Sequence, residues 1–174
     1  MTRFLPFTAL LIFAGAACAI ELDEDHRIPN IDGMCAWSSL ETLGRANGVK
    51  SLHGLRDYRR LHRPTELAYD HVIRAELDSR GVHYEFRPQG SYDRTLLEKY
   101  SRHFGVAAAL KPNNPWCGGP HEIVVTDFGP EWVEFYDSSR PLQDGKPKIW
   151  RCGRSWFEAY WWGQSIVVFP GPEA

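Results

Sequence analysis

The sequence predicts an α+β domain, with helices in its first half and antiparallel strands in its second. Three observations carry that prediction. Apolar residues recur at helical spacing as far as Phe104, Gly or Asn ends most of those runs, and beyond Val106 the apolar runs shorten to strand length. The segment Gly129-Pro130 then joins two of the short runs as a turn joins a hairpin.

The 174-residue chain opens with an expected secretory signal peptide over residues 1–19. Arg3 supplies the charged start, Phe4 to Ala14 the apolar stretch, and Ala17-Cys18-Ala19 the small-residue cleavage pattern, which puts the cut before Ile20. Residues 20–174 then form a single domain, expected to be secreted or periplasmic and free of the membrane once the signal is removed. No later apolar run reaches membrane length.

Residues 20–32 are acidic and turn-rich and read as an extended lead-in. Met34 to Ala46 is the first helix, with Trp37, Leu40 and Leu43 on one face and Asn47-Gly48 as its stop. Leu55 to Leu61 is a short helix ended before Pro64. Glu66 to Ser79 is a third, with Leu67, Val72, Ile73 and Leu77 inward and Gly81 after it. Val82 to Phe86 alternates as a half-buried strand should. Tyr92 to Phe104 is a fourth helix, facing inward through Leu96, Leu97, Tyr100 and Phe104 and stopped by Gly105. Val106 to Leu110, Glu122 to Phe128, Trp132 to Tyr136 and Ser165 to Phe169 are strands, the second and third forming the hairpin. Arg154 to Tyr160 is a short helix.

A net charge of −2 argues against a nucleic-acid partner, which would call for a basic face. Gly118-Gly119 lacks the frame of a phosphate-cradling loop. Cys117 and His121 are spaced by four in a Gly-Pro loop with no second ligand pair, so no metal and no cofactor is expected. Of the four cysteines, Cys18 falls in the signal peptide. In an oxidising compartment the economical arrangement of the other three is a Cys117–Cys152 disulfide with Cys35 free; three unpaired thiols is the alternative.

Cys35 stands at the start of the first helix, just after the turn Asp32-Gly33. A helix N-terminus and a neighbouring imidazolium both favour a thiolate, which makes Cys35 a candidate nucleophile. His121 follows Gly118-Gly119-Pro120 and opens the apolar run Ile123-Val124-Val125, so it is placed to face that helix end. Asp137 closes the hairpin sixteen residues later, where it returns beside His121 and can hold the second ring nitrogen. Asp127 lies at the wrong end of its strand for that role. For an oxyanion, one donor is the Cys35 backbone N–H. The other is Asn30, the only side-chain amide in residues 20–34.

The Cys35 helix, the following helix with Leu55-Arg56, His121 before Ile-Val-Val and Asp137 sixteen residues on together resemble the papain-like cysteine peptidases. In particular they resemble the small domains that trim double-glycine leader peptides in bacteriocin exporters. The resemblance covers about residues 28–170 and implies a papain-like fold. It also implies a thioester mechanism on a peptide or protein substrate, with Cys35 as nucleophile, His121 as base and then acid, and Asp137 as orienter. The departures are Ala36 where that family has Gly after its cysteine, Pro29 where it has an oxyanion Gln, and Ser138 where it has Pro. Its exporter domains are cytosolic, whereas this chain carries a signal sequence and no transporter. The segment from Gly33 to Val49 is also similar to the cysteine helix of transglutaminase-like proteins. Two other readings therefore stand beside hydrolysis. One is acyl transfer to an amine. The other is a binding module without catalysis, presenting the aromatic tail Trp150, Trp156, Phe157, Tyr160, Trp161 and Trp162.

Overall fold

The computed structural model describes residues 20, 22–62, 69–140, 142–143 and 146–171. The expected signal peptide, residues 1–19, lies outside the described residues, as do Glu66 and Leu67 of the expected third helix.

Helix α1 (Cys35–Ala46) is followed by α2 (Leu55–His62), α3 (Asp70–Ser79), strand β1 (Tyr84–Arg87) and α4 (Thr95–Phe104). Strands β2 (Val106–Leu110), β3 (His121–Phe128) and β4 (Trp132–Tyr136) come next, then a small ribbon of β5 (Leu142–Gln143) and β6 (Lys146–Pro147). Strand β7 (Ile149–Gly153), helix α5 (Arg154–Tyr160) and strand β8 (Trp161–Val168) complete the fold. The main sheet has six strands in the order β1-β8-β2-β3-β4-β7, with antiparallel neighbours throughout. The α+β expectation holds. Among the described residues no helix is long and apolar enough to cross a membrane.

Side chains alternate across the strands and serve two apolar layers. Ala107, Val124, Tyr136, Ile166 and Val168 meet α1, α2 and α3 on one face. Val106, Ala108, Leu110, Ile123, Val125 and Val167 meet α4 and α5 on the other. The sheet is therefore the middle of three layers rather than a floor under one group of helices.

Helix α1 is enclosed almost all round, from Ala36 to Gly44. Sequence periodicity marks only one apolar stripe on it. Polar positions can be buried because each finds a partner. Thr42 Oγ1 accepts the Ile28 N–H at 3.1 Å, and Ser39 Oγ donates to the Glu122 carbonyl at 3.4 Å. Glu41 receives the Arg45 guanidinium at 2.9 Å and the Arg56 N–H at 3.0 Å. Gly44 is required by contact: a Cβ there would sit 2.5 Å from the Leu52 Cβ.

Several expected boundaries move. The third helix begins at Asp70, after an extended Tyr69, rather than at Glu66, and the first strand runs Tyr84–Arg87 rather than Val82 to Phe86. The fourth helix begins at Thr95, not Tyr92, because Tyr92 takes a positive φ of 51° and Asp93 Oδ1 accepts the Thr95 N–H at 3.0 Å. The last strand begins at Trp161, directly after α5, rather than at Ser165. Strand β7 and the β5–β6 ribbon add elements where the sequence analysis placed none. Of the aromatic tail, Phe157 and Trp161 are core residues and the other four are half-buried.

The expected Cys117–Cys152 disulfide is not formed; Cys35, Cys117 and Cys152 are all free thiols. Cys152 sits in β7 and packs against the α5-side apolar layer, where burial pushes its thiol up to about 11. Cys117 is exposed, its sulfur on Asn114 Oδ1 at 3.3 Å and the Gly119 carbonyl at 3.4 Å.

Candidate active site

Two consecutive left-handed residues, Asp32 (φ 54°) and Gly33 (φ 77°), turn the lead-in sharply into α1. Cys35 is the first helical residue and is partly exposed. Met34 at the cap position places no side-chain acceptor on the first turn, and no acidic residue stands within it. The outward N–H groups of that turn are thus not taken up by a cap and favour an anion.

His121 opens β3, with Leu110 as its antiparallel partner on β2. The β3–β4 register pairs Val124 with Tyr136, so the residue after Tyr136 comes back level with Ile123, two residues from His121. That residue is Asp137, and its Oδ1 lies 2.7 Å from His121 Nε2. The same imidazole interacts with the Cys35 side chain, which helps to raise the ring's pKa. With Nε2 held by Asp137, Nδ1 is the ring nitrogen left to face the sulfur. Cys35, His121 and Asp137 therefore converge, although a helix, a strand and a turn supply them.

The electrostatics follow from this geometry. Burial alone would lower the His121 pKa. The hydrogen bond to Asp137 and its negative charge, together with the interaction with Cys35, outweigh it and raise the imidazole to about 10. Burial would raise the Asp137 carboxyl, but bonds from His121, Trp116 Nε1 and the Ser139 N–H hold it below the ordinary carboxylate range. The site favours an imidazolium clamped by a carboxylate on one side and a sulfur on the other.

Asn30 lies close to this cluster, with its backbone N–H on the Ser138 carbonyl at 2.8 Å. Its side-chain Nδ2 donates to Ser139 Oγ at 2.8 Å. The amide expected to serve an oxyanion is thus committed to the turn that carries Asp137.

Trp116 was not singled out from sequence. Its indole Nε1 donates to Asp137 Oδ2 at 2.5 Å. The ring stands edge-on to Phe135 and Trp150 with centroids 5.5 and 5.0 Å away. The Arg140 guanidinium lies 4.4 Å over it. Trp116 immediately precedes Cys117 in the loop leading to His121, and it anchors that loop where a disulfide was expected to. A Trp in a Gly-Pro loop five residues upstream of a candidate histidine was the available signal.

No family model matches the chain, and no curated protein matches its sequence. Solved structures do match. The peptidase domain of Streptococcus ComA, a bifunctional ABC transporter of a quorum-sensing pathway, aligns with a TM-score of 0.60 at 16% identity. The alignment covers 83% of this chain and 97% of that one. A double-glycine motif protease from an AMS/PCAT transporter, solved with its leader peptide, aligns at 0.57 and 14% identity over 88% and 95% of the two chains. The Streptococcus mutans ComA peptidase domain with a small-molecule inhibitor gives 0.51 at 16% identity, over 82% and 98%. What is shared at these identities is the architecture: the chain has the fold of papain-like double-glycine peptidase domains.

Proposed function

We propose that the protein is a papain-like cysteine peptidase that cleaves a peptide or amide bond through Cys35, His121 and Asp137. One observation carries this reading: the buried His121 imidazole is bonded to the Asp137 carboxylate and interacts with Cys35 at the start of α1. The match to a protease solved with its leader peptide supports a peptide substrate.

In the first step Cys35 gives its proton to His121 and its sulfur attacks the scissile carbonyl carbon, whose oxygen takes the negative charge. The N–H groups at the start of α1 stabilise that oxygen. The imidazolium of His121 gives its proton to the departing amine, and a Cys35 thioester remains. Water then loses a proton to His121 and attacks the thioester, releasing the acid and restoring the thiol. Asp137 keeps the ring oriented and stabilises its charged form. The signal peptide would direct this activity outside the cytoplasm.

Iodoacetamide labelling tests the proposal. Cys35 should react faster than a free model thiol at neutral pH, and His121→Ala should abolish the excess. Labelling of Cys35 at the model rate, unchanged by His121→Ala, would refute it.

A further inference from the structure

Two cations adjoin the turn that carries Asp137. The β4–β7 register pairs Tyr136 with Ile149, so Lys148, the next residue outward, comes level with Asp137. Arg140 closes the turn, its backbone N–H on the Asp137 carbonyl at 3.1 Å. Each cation lies over an indole: the Arg140 guanidinium 4.4 Å from the centre of Trp116, and the Lys148 ammonium 3.9 Å from that of Trp150. The two rings touch edge-on, with centroids 5.0 Å apart. Arg140 Nη2 also donates to the Trp116 carbonyl at 2.5 Å, and Trp150 Nε1 to the Arg140 carbonyl at 3.4 Å. The turn is tied in addition to the lead-in of α1, through the Asn30 N–H on the Ser138 carbonyl at 2.8 Å.

These cations are held in place without being neutralised. Arg140 is exposed and Lys148 half-buried, and among the described residues neither forms an ion pair. Other arginines of the same half of the chain, Arg94, Arg102, Arg151 and Arg154, all hold carboxylates. The Asp137 carboxylate is taken up by His121, Trp116 and the Ser139 N–H. A ring face fixes a cation and leaves the outer N–H groups of a guanidinium free to donate. Side-chain freedom is then lost in the free protein and not on binding. A carboxylate fits such a guanidinium edge with charge-assisted bonds, and the second cation strengthens the field it meets. A neutral amide gains less, and an ammonium is repelled.

We propose that Arg140 and Lys148, set on Trp116 and Trp150, form a subsite beside the Asp137 turn that takes a carboxylate of the peptide substrate. The inference rests on the peptidase reading of that centre. An acidic side chain and the C-terminus of a peptide present the same two oxygens, and the test below separates them. At low salt a carboxylate should be favoured over the matching amide by about fivefold or more, because two ordered cations act together where one exposed pair contributes little. Added salt should shrink the difference.

The test uses hexapeptide sublibraries with glutamate, glutamine or lysine fixed at each position in turn, each made with a C-terminal acid and with a C-terminal amide. Turnover is measured with the full-length protein, and binding with its Cys35→Ser variant. The readout is a ratio between two ligands on one protein, so a general loss of activity cancels. A glutamate-over-glutamine preference at one position that falls to unity in the Arg140→Met, Lys148→Met double variant supports the subsite and assigns it to a side chain. An acid-over-amide preference that falls in the same way supports it and assigns it to the peptide end. Lys148→Met alone should lower the preference, and it decides the matter if the double variant does not fold. No binding, no carboxylate preference, or a preference unchanged in these variants overturns the subsite. Turnover with no such preference leaves the peptidase standing without it. A carboxylate preference in binding that depends on Arg140 and Lys148, with no turnover, keeps the subsite and removes the peptidase.

Discussion

The indole N–H of Trp116 donates to Oδ2 of Asp137, while Oδ1 of the same carboxylate holds His121 Nε2. The two oxygens have separate tasks: one faces the ring that moves protons, and the other is fixed to a loop. Trp116→Phe keeps most of the edge-on packing and removes the bond. A hydrogen bond to a charged acceptor contributes about 1.5–3 kcal/mol, so kcat/KM should fall by about tenfold or more. The Asp137 carboxyl should also rise toward its ordinary value. Unfolding monitored against pH should then show stability lost at a higher pH on acidification than in the parent protein. An unchanged acid limb would assign Trp116 to packing alone.

Asp137→Asn leaves the turn in place and removes the charge that stabilises the imidazolium. Loss of a positioned acid–base partner costs about 10²- to 10⁴-fold. Steady-state kinetics should show that loss mainly in kcat, and the His121 pKa, followed by NMR of the ring protons, should drop below its value of about 10.

The His121 pKa is raised on folding, from an ordinary 6.5 to about 10. A group raised in this way lends its full stability below the unfolded pKa and loses it as pH climbs through the folded one. Thermal melting should therefore show a His121 contribution that is intact at pH 6, shrinks above it and is gone beyond about pH 10. His121→Ala should flatten that alkaline slope. The proposed hydrolysis should fail over the same upper interval, because the leaving amine needs the imidazolium proton.

Gly44→Ala brings a methyl against the Leu52 Cβ, at 2.5 Å before any relaxation. Overpacking of this kind costs about 1–3 kcal/mol. Urea denaturation should register that loss, and because the strain falls on α1, Cys35 alkylation should slow as well. Ala at this position with unchanged stability would mean that Leu52 yields freely.

The free state of Cys117 and Cys152 gives a direct measurement. The Cys117→Ser, Cys152→Ser double variant should melt within about 1 kcal/mol of the parent under oxidising conditions, where a lost disulfide would cost about 2–5 kcal/mol. In the parent, exposed Cys117 should react with Ellman's reagent well before Cys152, whose thiol burial pushes up to about 11.

The α+β class and most element positions were legible because periodicity and Gly or Asn stops report them directly. The meeting of His121 and Asp137 was legible because each lies at an element boundary, where short-range pattern and chain geometry coincide. Asn30 was chosen by elimination, and elimination does not see Ser139, which lies 109 residues away and takes the amide. The disulfide was inferred from an odd count, yet pairing depends on which layer each thiol enters, and Cys152 enters an apolar one. The Trp116 bond depends on how the loop before β3 packs against the turn after β4, 21 residues away. Local pattern carries no information on that adjacency.

Strand order also dictates when this protein can fold. The last strand made is not an edge: β8 fills the slot between β1 and β2. A nascent chain released as far as α5 has a gap in mid-sheet, with the facing edges of β1 and β2 unsatisfied. Closure waits for β8 to leave the ribosome. Until then the strand that presents His121 has no completed sheet to brace it, so the thiol site is assembled only once the chain through Val168 is available.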